Sequence, residues 1–76
     1  MIRVTVTIGN WARRYVPHGT QALDLPDSAA AQDVLTPLGI PPEEVGLFAI
    51  NGTAVLKDAA LNDGDTVRVF PVIMGG

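Results

Sequence analysis

The sequence predicts an α+β fold in which a mixed sheet of four to five strands carries one main helix packed on one face. Three observations lead there. Apolar and polar residues alternate strictly from Ile2 to Ile8, an apolar stripe at helical spacing runs through Ala31, Val34, Leu35 and Leu38, and Asn51-Gly52 stands between two apolar runs. A helix lying across a sheet buries both apolar surfaces at once, which suits a chain of 76 residues.

The elements follow in order. Ile2, Val4, Val6 and Ile8 alternate with Arg3, Thr5 and Thr7, so four aliphatic side chains share one face of a first strand. Gly9 and Asn10 break it, and Trp11 to Thr20, rich in turn formers and basic residues, reads as a hairpin connection. A second strand covers roughly Gln21 to Leu25, with Leu23 and Leu25 supplying another apolar row before Pro26 ends it. Asp27 or Ser28 is suited to cap the helix, since a side-chain oxygen can accept from the unpaired N–H groups of its first turn. Ala29 to Asp33 favours helix, Pro37 is expected to kink or tighten the last turn, and Gly39 supplies the stop.

Pro41-Pro42 interrupts regular structure before Glu43-Glu44-Val45, read as a short helical turn. Leu47 to Ile50 and Thr53 to Leu56 form a hairpin about Asn51-Gly52, because a type I′ turn needs positive φ at both central residues. Lys57 to Asn62 is a connection with one apolar plug, Leu61. Asp63-Gly64-Asp65 is a tight turn, and Thr66 to Val72 is the closing strand. In that strand Val67 and Val69 join Val4 and Val6 in the core, while Arg68 and Phe70 take the opposite face, bordered by Thr5 and Thr7. The whole chain, 1–76, reads as a single domain ending in a flexible tail, 73–76.

Composition narrows the chemistry. Hydrophobic residues make up 47% of the chain and aromatics 5%, so the core is aliphatic. There is no cysteine, hence no thiolate metal site and no cysteine nucleophile. The net charge of −3, with Arg13-Arg14 the only adjacent basic pair and Lys57 the only lysine, speaks against binding nucleic acid. The opening MIRVTVTI lacks the continuous apolar stretch of a signal peptide, and no run reaches membrane-spanning length. A soluble, cytoplasmic protein that engages neither nucleic acid nor membrane is expected.

Few side chains could do chemistry. His18 is the only histidine and has no companion with which to form a metal set. Glu43 and Glu44 are adjacent and so point apart, a poor acid–base pair. Asp63-Gly64-Asp65 lacks the remaining ligands of a calcium loop, and Gly39 and Gly46 belong to no phosphate-cradling motif. Trp11, Arg13, Arg14 and Tyr15 carry too little charge for a single-strand binding groove and read instead as an interface loop or packing anchor. The C-terminus differs. Just after the last strand come Ile73, Met74, Gly75 and Gly76. Glycine has no Cβ, so a terminal pair presents a narrow extended backbone able to thread an active-site tunnel.

On these residues the chain resembles the ubiquitin-like β-grasp sulfur carriers, the family that includes the small subunit of molybdopterin synthase and the thiamine-pathway sulfur carrier. The blocks that carry the resemblance are Met1-Ile2-Arg3-Val4, Gly39-Ile40, Ile50-Asn51-Gly52, Leu61-Asn62-Asp63-Gly64-Asp65 and Val69-Phe70-Pro71-Val72-Ile73-Met74-Gly75-Gly76. The last two together are the specific ones.

The resemblance implies that an adenylating enzyme of the ubiquitin-activating type uses ATP and magnesium to form an acyl-adenylate on the Gly76 carboxyl. A sulfur donor then converts it to a thiocarboxylate, which delivers sulfur to an acceptor, either the molybdopterin synthase large subunit or thiazole synthase. The carrier itself is not an enzyme and binds no cofactor or metal. Gly76 is its reacting residue, and Gly75, Met74, Ile73, Phe70 and Arg68 meet partners. The long Gly9 to Thr20 loop and Phe70-Pro71 lean toward the molybdopterin subunit, whereas Val72-Ile73 is closer to the thiamine carrier. A sulfur carrier for another pathway, such as tRNA or amino-acid sulfuration, a ubiquitin-like modifier forming amide bonds to lysines, and an inert interaction module are the alternatives.

Overall fold

The computed structural model describes residues 1–72; the site residues expected at Ile73, Met74, Gly75 and Gly76 lie outside the described residues. Five strands form one sheet: β1 (Ile2–Ile8), β2 (Thr20–Leu25), β3 (Val45–Ile50), β4 (Thr53–Val55) and β5 (Thr66–Pro71), in the order β2-β1-β5-β3-β4. The central pair β1–β5 is parallel, with Val6 beside Val67 and Ile8 beside Val69, and all other neighbours are antiparallel. The mixed sheet with one helical layer is therefore as expected.

Alternation builds one buried face. Val4, Val6, Val67 and Val69 are wholly buried, and Phe48, Leu25 and Leu61 complete that layer beneath the helix. Removing each such aliphatic side chain from water is worth about 1.5–3 kcal/mol, so this row is the main source of stability. Leu61 is the plug foreseen in its loop.

The helix is shorter than its sequence suggests. A tight 3₁₀ turn over Ala31–Val34 leads into α1 (Leu35–Leu38), and neither Asp27 nor Ser28 caps it. The cause is competition for backbone groups. The N–H groups of Ala31 and Gln32 donate to the carbonyls of Ala59 and Lys57, and Leu61 N–H donates to Ala29, all at 2.9 Å. Tertiary pairing thus takes residues 29–32 out of helical bonding despite their propensity. Asp33 does the capping instead, its Oδ2 accepting from Ala30 N–H at 2.7 Å. Pro37 does not tighten the last turn as expected: it lies inside α1, and the 3₁₀ turn comes before it, where the tertiary bonds of residues 29–32 act. Gly39, at φ 73°, ends α1 as expected, with its own N–H donating to Thr36 and that of Ile40 to Leu35.

Other boundaries shift slightly. The Gly9 to Thr20 connection contains a 3₁₀ turn, Asn10–Ala12, and buries Ala12 and Val16. β3 begins at Val45, not Leu47, β4 stops at Val55, leaving Leu56 exposed, and β5 stops at Pro71. Pro42–Glu44 is the short helical turn foreseen near there. The Asn51-Gly52 turn has positive φ at both residues. Asp65 is more than a turn residue: it is 9% exposed, and its carboxylate accepts from Asn51 Nδ2 at 2.9 Å and Asn62 N–H at 2.8 Å.

Candidate functional site

The strand that leads to the C-terminus sets the site. β5 places Val67 and Val69 in the core, so by the two-residue period Arg68 and Phe70 must stand on the open face of the sheet, and they do. Phe70 is 36% exposed, with the Arg68 guanidinium 5.7 Å from its ring centroid. Thr7, Ala49, Gly52 and Thr66 line the same shallow depression, which places Thr7 at the border of this face as its sequence position implied. Trp11 instead packs against the core.

Pairing enlarges the apolar part of this face. Leu47 lies opposite Phe70 across β3 and β5 and is exposed. Leu47 and Phe70 are the large apolar side chains left open on this face. Isolated exposed hydrophobics need no explanation, but neighbouring ones beside a charged residue have the composition of an interface centre.

The root of the tail is held from the other side by Glu44. Its backbone carbonyl accepts from Val72 N–H at 2.9 Å. Its carboxylate accepts from Tyr15 O–H at 3.1 Å and from Arg14 Nη2 at 3.3 Å, and the Arg14 guanidinium stacks 4.9 Å from the Tyr15 ring centroid. Tyr15 first, and Glu44 after it, raise the Arg14 guanidinium above its ordinary value. The loop read from sequence as an interface or packing element is thus tied to the last described residue of the chain through Glu44. Glu44 and Gly46 are the contributors that the sequence alone does not reveal. The lone glycine between Val45 and Leu47, inside an apolar strand pattern, is the available signal of a bulge.

His18 is exposed, and among the described residues no group of three or more His, Asp or Glu side chains could hold a metal ion. No described helix is long and apolar enough to cross a membrane.

The ThiS family profile matches residues 6–76. Among solved structures, a Pyrococcus furiosus protein assigned as molybdopterin converting factor, subunit 1, superposes with a TM-score of 0.78 at 25% identity, covering 96% of this chain and 100% of the other. The HVO 2177 protein of Haloferax volcanii gives 0.80 at 26% identity, covering 99% and 87%. The small archaeal modifier protein 1 of H. volcanii gives 0.78 at 17% identity, covering 96% and 100%, a likeness that bears on the fold alone. The fold is the ubiquitin-like β-grasp.

Proposed function

The chain belongs to the ThiS family, and from that premise we propose that it is a sulfur carrier whose Gly76 carboxylate is activated as an acyl-adenylate and converted to a thiocarboxylate. The observation that carries this reading is the family match running through Gly76, on a chain whose last strand presents an open apolar face immediately before the tail. A carboxylate is a poor electrophile. Attack of its oxygen on the α-phosphorus of ATP, with loss of pyrophosphate, turns that oxygen into part of a good leaving group, AMP. Sulfur delivered at the level of hydrosulfide then attacks the carbonyl carbon, AMP departs, and loss of the sulfur's proton leaves the thiocarboxylate.

Catalytic groups, ATP and magnesium belong to the activating partner in this scheme. What the chain contributes is positioning: Phe70 and Arg68 dock, and Ile73, Met74 and Gly75 deliver Gly76. The molybdopterin pathway is the favoured destination, with the large subunit of the synthase as acceptor. Phe70-Pro71, the long Gly9 to Thr20 loop and the likeness to the Pyrococcus protein support it over thiazole synthase.

Deleting Gly76 tests the core of the proposal. The truncated chain is expected to keep its circular dichroism spectrum and melting temperature and to lose ATP–pyrophosphate exchange with its activating enzyme. Normal exchange by the truncated chain would overturn it. Amide adducts on lysines of other proteins, detected by mass spectrometry, would point to the modifier alternative instead.

A further inference from the structure

β3 and β5 fall out of register at one place. Val45 lies opposite Pro71 and Leu47 opposite Phe70, so Gly46 is an extra residue on β3. Such a bulge bends its strand and re-aims the residues next to it. Gly46 is not at positive φ, so its backbone conformation does not demand glycine. Space does. A Cβ there would sit 2.9 Å from the Pro71 carbonyl oxygen and 3.0 Å from Val72 Cα, both backbone atoms, where ordinary contact begins at 3.4 Å. The missing side chain lets the end of β5 lie directly on the bulge.

Two further features fix the course of the chain at Pro71 and Val72. Pro71 has no N–H, so it donates nothing to the ladder. The next donor, Val72 N–H, is bound outside the ladder by the Glu44 carbonyl at 2.9 Å, two residues before Gly46. Glu44 is held in turn by Tyr15 and Arg14. The open face with Phe70 and Arg68 takes no part in this arrangement.

We propose that Gly46 is a positioning residue for the C-terminal tail: its bare backbone, with the Glu44 carbonyl, aims the chain at Val72 so that Gly76 reaches the reacting centre of a partner already docked on the sheet face. This rests on the carrier reading. Docking and aiming are then separate functions of separate residues. Adding a methyl group at Gly46 displaces Pro71 and Val72 by about 0.5 Å before contact is ordinary, given the 2.9 Å separation. Misplacement of a reacting group by about 1 Å can cost on the order of 100-fold; the reacting carboxyl stands four residues beyond Val72 and receives only part of the displacement, so a loss of at least about threefold is expected here.

The experiment compares the full-length chain with Gly46→Ala and Val72→Pro, which keeps Gly46 but removes the N–H bound by Glu44. In ATP–pyrophosphate exchange with the activating enzyme, both variants are expected to lower kcat at least about threefold while KM for the carrier changes less than about twofold, because Phe70 and Arg68 on the docking face are untouched. In hydrogen exchange, the Val72 amide of Gly46→Ala is expected to exchange at least about tenfold faster than that of the unaltered chain, with core amides unchanged. Unchanged kcat in a folded variant, or a rise in KM alone, would overturn the inference. Should Gly46→Ala fail to fold, Val72→Pro decides it by the same split. If the unaltered chain supports no exchange, the carrier reading fails, and the Val72 amide still judges the aiming role: equal protection in Gly46→Ala and the unaltered chain refutes it.

Discussion

Replacing Asp65 by alanine should be among the most damaging single changes outside the aliphatic core. Its carboxylate takes hydrogen bonds from Asn51 Nδ2 and Asn62 N–H, while Asn51 Oδ1 accepts from Thr66 N–H at 2.9 Å and Asp65 C=O accepts from Thr5 N–H at 3.0 Å. The cluster joins the β3–β4 turn, the turn before β5 and the middle of β1. Truncation at Asp65 leaves two part-buried hydrogen bonds unmade, their donors on the exposed Asn51 and Asn62; a fully buried donor without a partner costs about 1–3 kcal/mol. Partial access of water to both sets the expected loss near 2 kcal/mol, which is a fall in Tm of roughly 8–16 °C for a chain of this size. Thermal melts followed by circular dichroism measure it. Asn51→Gly, chosen because glycine tolerates the φ of 50° at Asn51, removes the other side of the same contact. The double variant should then cost about 1 kcal/mol less than the sum of the singles. A Tm within about 3 °C of the unaltered protein, or strict additivity, would refute the idea that these residues act as one network.

Other consequences can be checked alongside. Phe70→Ala should weaken binding to the activating enzyme by roughly 30-fold, as expected for an aromatic at an interface centre, and lower Tm proportionately less; the reverse order in titration calorimetry and melting would make Phe70 a core residue. Gly39→Ala meets no atom within 4 Å, so it should cost only the strain of a φ of 73°, about 1 kcal/mol by urea titration. A loss several times larger would mean that the turn is packed more tightly than this. At the surface, the Arg3 guanidinium, 2.8 Å from Asp24 Oδ1, holds the Asp24 carboxyl below its ordinary value. A depressed carboxyl stabilises the folded state at pH values above its unfolded value near 3.8, and that contribution fades as pH falls through the lower folded value. Arg3→Gln should therefore lower stability slightly at pH 7 and leave little difference from the unaltered protein in strong acid, and added salt should shrink the effect at pH 7. A difference that grows toward acid would contradict this.

Where one physical signal dominated, the sequence was a good guide. The alternation of Ile2 to Ile8 and of Val67 to Phe70 has a single reading, because a one-residue slip would put valines in water and Arg68 in the core. Asn51-Gly52 fixed its hairpin for a local steric reason. Residues 29–32 misled, because local propensity favours helix there while their partners, Lys57 to Leu61, lie a long way off in sequence. Ala12 and Val16 were hidden among arginines and turn formers, with no periodicity to mark them as core. Within the site, Phe70 and Arg68 could be assigned a face from the strand period alone. Glu44 could not, and Gly46 only as a bulge, since their contact with Val72 across the sheet is encoded by no spacing along the chain. Gly75-Gly76 was conspicuous in the sequence from the start, as a chemical feature that needs no fold to be recognised.

The most direct test of the carrier role is the intact mass of the protein isolated from its native host without reducing or alkylating treatment. A sulfur carrier should show a fraction heavier by the exchange of one oxygen for one sulfur, with fragmentation placing the change on Gly76. A chain that stays wholly unmodified, even after incubation with its adenylating enzyme, ATP, magnesium and a sulfur donor, would contradict that role.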